Sequence, residues 1–150
     1  MQKAIIVAAS QRRKREPKTP IPALERFTGV YFRVLKKYIR EGKLTQTDII
    51  ILSPEHGIIQ VQDKIPYTEP TEKLLLNKDM IAKMRKNNLQ ILEKIFNKKQ
   101  YSKIYVNVGR TLIKLIEGFD KLTQAKIVYA AGPGLGPKAQ HMKNWILQLQ

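Results

Sequence analysis

Short unbroken apolar runs alternate along this chain with longer stretches whose apolar residues recur every three or four positions. Ala4-Ile5-Ile6-Val7-Ala8-Ala9 contains no polar residue, the pattern of a strand covered on both faces. From Ser10 to Pro22 the pattern gives way to Arg12-Arg13-Lys14-Arg15, Lys18 and three prolines. This reads as a basic loop of about a dozen residues, a length usually associated with function or mobility. Periodicity returns between Gly29 and Glu41. Val30, Val34, Tyr38 and Tyr31, Leu35, Ile39 make two adjacent i, i+4 rows, one apolar stripe on a helix. Thr28 is placed to cap that helix and Gly42 to end it. Arg33, Lys36, Lys37 and Arg40 form a basic ridge on its other side.

Asp48 leads into a second apolar run, Ile49-Ile50-Ile51-Leu52, closed by the polar turn Ser53-Pro54-Glu55-His56-Gly57. Ile58 to Pro70 reads as an extended connection holding Pro66 and Pro70. A long helix follows from near Asn77 to about Asn97, its inward face formed by Ile81, Met84, Asn88, Ile91 and Ile95 with Leu92 and Phe96 alongside. Ile104–Val108 is a third strand, followed by Gly109-Arg110-Thr111 and a short helix through Glu117. Ile127–Ala130 is a fourth, running into Gly132-Pro133-Gly134-Leu135-Gly136-Pro137 and a last helix from about Pro137 to Leu149. Four such alternations predict a single-domain α/β fold, a mostly parallel four-stranded sheet with helices on both faces. No internal repeat or linker divides the chain.

The charge balance sets this sequence apart. Its 150 residues hold 28 Lys+Arg against 12 Asp+Glu, a formal net charge of +16. A 43% hydrophobic content still supports a real core. So large an excess self-repels in the compact state, and a polyanion is the partner that would relieve it. The chain has no cysteine, which excludes disulfides and thiolate-bound zinc. His56 and His141 are too few for an all-histidine metal site; a mixed histidine–carboxylate site stays open, but no metal or cofactor is expected. Apolar runs are too short to span a bilayer and the start lacks a signal-peptide pattern, so a cytoplasmic protein without membrane association is expected.

Ligands of open parallel sheets bind beyond the carboxyl ends of the strands. Ser10–Arg15, Ser53–Gly57, Asn107–Thr111 and Gly132–Lys138 each follow a strand and would share one rim. Candidates for chemistry there and nearby are Ser10, Glu55, His56, Asp63, Tyr67, Asn107 and Arg110. Glu55 or Asp63 could activate water, and His56 or Arg110 could steady developing negative charge. The glycines around Gly134 and Gly136, with Lys138, resemble a phosphate cradle at a helix start. Pro133 and Pro137 remove two donors from it, however, and the Walker pattern is absent, so a plain strand-to-helix turn fits as well. His141 and Trp145, one turn apart, fit a packed aromatic pair. Arg12, Arg13, Lys14 and Arg15, with the ridge Arg33, Lys36, Lys37 and Arg40, would hold phosphates with salt-sensitive affinity, although charge runs are commonly just solvated.

Three stretches carry a family resemblance. Phe27-Thr28-Gly29-Val30-Tyr31-Phe32 resembles the aromatic-Thr-Gly helix start of the YaaA-like peroxide-stress proteins and a related uncharacterised family. Ile51 to Ile59, then Asp63 and Pro66-Tyr67, is similar to their Leu-Ser-x-x-(Tyr/His)-Gly-Leu-(Leu/Ile)…Asp…Pro-Tyr stretch, and Gly132–Trp145 to the smaller family's Gly-rich turn and Trp-bearing helix. The resemblance implies a three-layer α/β architecture distantly related to uracil-DNA-glycosylase-like domains, with DNA binding in the YaaA branch. Similar folds accompany archaeal tRNA-guanine-modifying enzymes, which keeps RNA open. This chain departs from the family at Ala9-Ser10, where the small family often has Ser-Cys, and it lacks the glycosylase motif Gly-Gln-Asp-Pro-Tyr.

The expected function is therefore nucleic-acid binding, with DNA ahead of RNA, through a basic face beside a base- or nucleotide-sized pocket at the strand ends. Two alternatives stand beside it: a glycosylase-like or tRNA-base-modifying enzyme, and a basic protein-interaction module. Oligomeric state is not legible from the sequence.

Overall fold

The computed structural model describes residues 2–71 and 77–150. Its main sheet has five strands rather than four, in the order Gly57–Gln60 (β4), Thr47–Ser53 (β3), Lys3–Ala8 (β1), Lys103–Asn107 (β6) and Lys126–Tyr129 (β7). Strand β1 (Lys3–Ala8) is central and parallel to its neighbours. A two-residue strand β2 (Ile21–Pro22) and a single helical turn α1 (Ala23–Arg26) precede helix α2 (Val30–Arg40). Strand β3 (Thr47–Ser53) then pairs parallel with β1, Ile5 opposite Ile49 and Val7 opposite Ile51.

The fifth strand, β4 (Gly57–Gln60), lies in the stretch expected to be a plain extended connection. It turns back on β3 as an antiparallel edge, with Ser53 opposite Gly57 and Ile50 opposite Gln60. Gly57 makes this turn possible with a φ of 75°, a backbone region that costs glycine little. The same stretch also holds β5 (Lys64–Ile65), which pairs with β2 in a separate two-stranded sheet. Helix α3 (Lys78–Lys98) leads to β6 (Lys103–Asn107), parallel to β1 on its other side. Where one short helix was expected through Glu117, two 3₁₀ segments occur, Leu112–Ile116 and Phe119–Leu122, separated by Gly118 at φ 95°. Strand β7 (Lys126–Tyr129) and helix α4 (Leu135–Gln148) complete the chain.

Helices cover both faces of the sheet, and alternation along each strand divides the core in two. Ile5, Val7, Ile49, Ile51 and Tyr105 pack against α2 and α4 through Phe32, Leu35, Met142, Trp145 and Ile146. Ala4, Ile6, Ile50, Leu52, Ile104 and Val106 meet Leu92 and Phe96 of α3 and Leu115, Ile116 and Phe119 of the 3₁₀ segments. This is why the middles of β1, β3 and β6 are runs of apolar and aromatic residues: successive side chains enter opposite cores. Ile91, expected on the inward face of α3, is 39% exposed, while Leu92 beside it is fully buried. Among the described residues, no helix is long and apolar enough to cross a membrane.

Candidate functional site

The chain moves from β1 to β3 on one side and later to β6 on the other. The strand order therefore reverses at β1/β6, where the carboxyl ends of adjacent strands part and leave a crevice. A pocket of about 510 Å³ occupies that crevice. Its floor is the end of β1 (Ala8, Ala9, Ser10) and of β6 (Asn107), and its walls are the first turns of α2 and α4. Arg12, Arg33 and Lys138 line it from three separate segments, alongside apolar Val30 and Leu135. None of the described residues lining it is acidic.

Both helix starts are suited to anions. The cap of α2 is Gly29, not Thr28, and that of α4 is Gly134; neither cap carries a side-chain hydrogen bond, and neither first turn holds an acidic residue. Helix α3 differs, since the Asn77 side chain accepts from the Met80 amide and Asp79 sits in its first turn. Uncapped amides and the positive end of the helix dipole favour a negative group. Of the expected cradle, Lys138 reaches the pocket; Gly134 and Gly136 are exposed, and Gly134 supplies the φ of 79° that turns the chain into α4.

Ser10 fastens the floor to the helix. Its Oγ donates to the Arg12 carbonyl at 2.6 Å and accepts from the Gly29 amide at 3.2 Å, so it is a bridge and not a free nucleophile. The contact is close enough to require glycine: a Cβ on Gly29 would lie 2.6 Å from the Ser10 Cβ. Gly29→Ala is expected to cost about 1–3 kcal/mol, as overpacking does, and Ser10→Gly added to it should restore part of the loss in a denaturant melt.

Asn107 is buried at 5% exposure, and its amide nitrogen lies 4.0 Å from the Met142 sulfur. Tyr31 lines the pocket with Asn107. Burial raises the Tyr31 hydroxyl pKa, and the nearby Asn107 amide only partly offsets this, so the phenol stays protonated. Behind Asn107, Tyr105 and His141 Nδ1 are 2.7 Å apart, and the Tyr105 ring packs on both His141 and Trp145. The expected His141–Trp145 pair thus meets through a third ring. Tyr31, expected only as core spacing, lies at the start of α2, the part of a helix that follows a strand closest to the rim.

A second polar cluster adjoins the pocket and uses up several candidates. Arg13, expected to contact phosphates, has a side chain only 2% exposed and pairs with Glu55 Oε1 at 2.7 Å. It also donates to the carbonyls of Ser10 and Thr68 and packs over the Phe27 ring. Glu55 accepts further from the Thr71 amide and hydroxyl and from Ser53 Oγ. Burial pushes the Glu55 carboxyl up, but the bonds from Thr71 and Arg13 and the Arg13 charge outweigh it and hold the group below its ordinary value. His56 is held low chiefly by burial, with Arg13 adding to the effect against Glu55, and its Nε2 lies 3.3 Å from the Thr68 hydroxyl. These groups form a clamp joining the basic loop, the β3–β4 turn and the segment around Thr68–Thr71.

Other candidates are dispersed. Asp63 accepts from the Gln60 amide at 2.8 Å in the turn after β4, a strand that runs away from the rim. Arg110 is exposed beyond β6, outside the pocket lining. Tyr67 is half-buried beneath the exposed Arg15, whose guanidinium lies 6.0 Å from its ring centre. Lys14 is exposed. On the α2 ridge Arg33, Lys37 and Arg40 are exposed, whereas Lys36 donates to the Phe27 carbonyl at 3.1 Å. Burial, then the nearby Lys14, lowers the Lys36 pKa.

Sequence reasoning missed Arg26 altogether. It is 1% exposed and donates to four carbonyls, those of Lys14, Pro17, Thr19 and Ile65, at 2.8–3.1 Å. The long basic loop is folded around this one guanidinium, and Lys14 and Thr28 amides tie it further to the Arg26 and Arg12 carbonyls.

No family model and no curated protein matches this chain. Its fold is similar to that of AF0587, a protein of unknown function, whose crystal structure superimposes with a TM-score of 0.51 at 14% sequence identity. The match covers 96% of this chain and 44% of that one, so the chain spans less than half of AF0587, and the likeness establishes the α/β fold alone.

Proposed function

We propose that the protein binds nucleic acid at the strand-end rim, holding phosphates on the cations around the pocket and a base or nucleotide within it. The supporting observation is the β1/β6 pocket itself: Arg12, Arg33 and Lys138 converge from three segments on an apolar crevice between two uncapped helix starts. Its volume lies in the range of small-ligand sites, and the net charge of +16 favours a polyanion. The resemblance to YaaA-like proteins points the same way. Binding is favoured over bond cleavage because the pocket lining, among the described residues, holds no carboxylate to activate water, and Glu55 is already committed to four donor groups.

The test is fluorescence-anisotropy binding to single- and double-stranded DNA and RNA across a salt series. The wild type should give a log–log slope of about −3 or steeper, corresponding to roughly three or more phosphates neutralised. Arg33→Glu with Lys138→Glu should weaken binding at least tenfold, flatten the slope by about 2 and leave the thermal midpoint unchanged. Unaltered affinity and slope in that double variant would remove the pocket from the binding face.

A further inference from the structure

The β1/β6 pocket does not stand alone. It shares Gln11 and Arg12 with a second cavity of about 560 Å³, whose lining continues to Arg15, Thr28 and Tyr67. That cavity shares Arg15, Tyr67 and Glu69 with a third of about 490 Å³. The three form one furrow along the basic loop, with exposed Arg12 between the first two and the Arg15–Tyr67 pair between the last two. We infer that this furrow is a track for a short single strand of nucleic acid, with one unpaired base in the β1/β6 pocket and its neighbours running past Arg12 to Arg15 and Tyr67. This rests on the nucleic-acid reading above and specifies its substrate class.

Three observations favour a single strand. A concave pocket between helix starts can take a base only once it has left its partner, and in a duplex that requires unstacking and unpairing. Alternating cations and an aromatic–guanidinium surface, as at Arg12, Arg15 and Tyr67, suit a backbone whose bases are free to stack. The furrow is also preformed, because Arg13 and Arg26 fix the loop that makes its wall, and little ordering remains to oppose binding. Glu69, shared by the second and third cavities beside Arg15 and Tyr67, repels phosphates and so bounds the track at that pair. The footprint should be short.

The experiment is competition anisotropy at one fixed salt concentration, using oligomers from a mononucleotide through di-, tri- and tetranucleotides to a decamer, as DNA and as RNA, with the blunt duplex of the decamer as comparator. Either sugar satisfies the inference. Single strands should bind at least tenfold tighter than the duplex, with affinity rising over the shortest oligomers and then levelling. Tyr67→Ala should lose roughly tenfold on single strands while Tyr67→Phe stays near wild type, and exposed Arg15→Ser should lose a similar factor without changing thermal unfolding. Equal or tighter duplex binding would overturn the single-strand track and leave the nucleic-acid function standing. Single-strand binding indifferent to both Tyr67→Ala and Arg15→Ser would overturn the route along the furrow. No binding to any strand would overturn the function itself.

Discussion

Arg26→Met is expected to lower the unfolding free energy by about 4 kcal/mol, the largest effect of any single substitution proposed for this protein. Methionine keeps much of the aliphatic volume, so packing changes little. What disappears is a charged donor to four carbonyls, and at least the Ile65 carbonyl is left in a buried setting. Bonds to a charged donor are worth more than neutral ones, and an orphaned acceptor costs its full desolvation. Arg26→Lys should recover only a minority of the loss, since one ammonium cannot reproduce the forked geometry that reaches Lys14, Pro17, Thr19 and Ile65 together. Chemical denaturation of the two variants checks this; a methionine variant within about 1 kcal/mol of wild type would mean the loop folds without its central guanidinium.

Glu55→Gln and Arg13→Met should each cost about 3 kcal/mol, because either leaves half of a buried ion pair without its partner. Replacing both with methionine should cost clearly less than the two single losses combined, and a double-mutant cycle measures that difference. The pair also sets an acid limb on stability. The folded Glu55 pKa lies below its ordinary 4.5, so its contribution is complete above that value and is lost as pH falls through the folded pKa. His56, also lowered in the fold from 6.5, acts in the same direction: neutral when folded, it favours the native state at higher pH and opposes it as acid protonates the unfolded chain. Unfolding followed from pH 7 downward should therefore show stability falling toward acid, and Glu55→Gln should flatten the portion below about 4.5.

The sheet's interior was legible because burial on two faces leaves an unmistakable trace in the central positions of β1, β3 and β6, the runs Ala4–Ala8, Ile49–Leu52 and Ile104–Val106. Strand β4 was not, because its apolar content is just Ile58-Ile59 and its identity depends on pairing with β3 across a turn. The rim was correctly gathered in outline: three of the four segments after strands meet in the pocket, and the fourth joins it through Arg13 and Glu55. What sequence could not separate was one cation from the next. Arg12, Arg13 and Lys14 read as a uniform charge run, yet Arg13 faces inward between outward neighbours, bridging to Phe27 as a strand residue would. Arg26 lies between Glu25 and Phe27 like any surface arginine, and its burial is decided by carbonyls 7 to 39 positions away.

The buried guanidinium also bears on how this chain survives proteolysis. Arg12-Arg13-Lys14-Arg15, with Lys18 close behind, is the densest run of trypsin-type cleavage sites in the sequence. Cleavage needs a stretch of backbone freed from its contacts, and here the carbonyls of Lys14, Pro17 and Thr19 are all held by Arg26. The loop cannot fray at its tip while that anchor holds. It opens as a unit or not at all, so a nick in this run would report the rare opened population and not local flexibility.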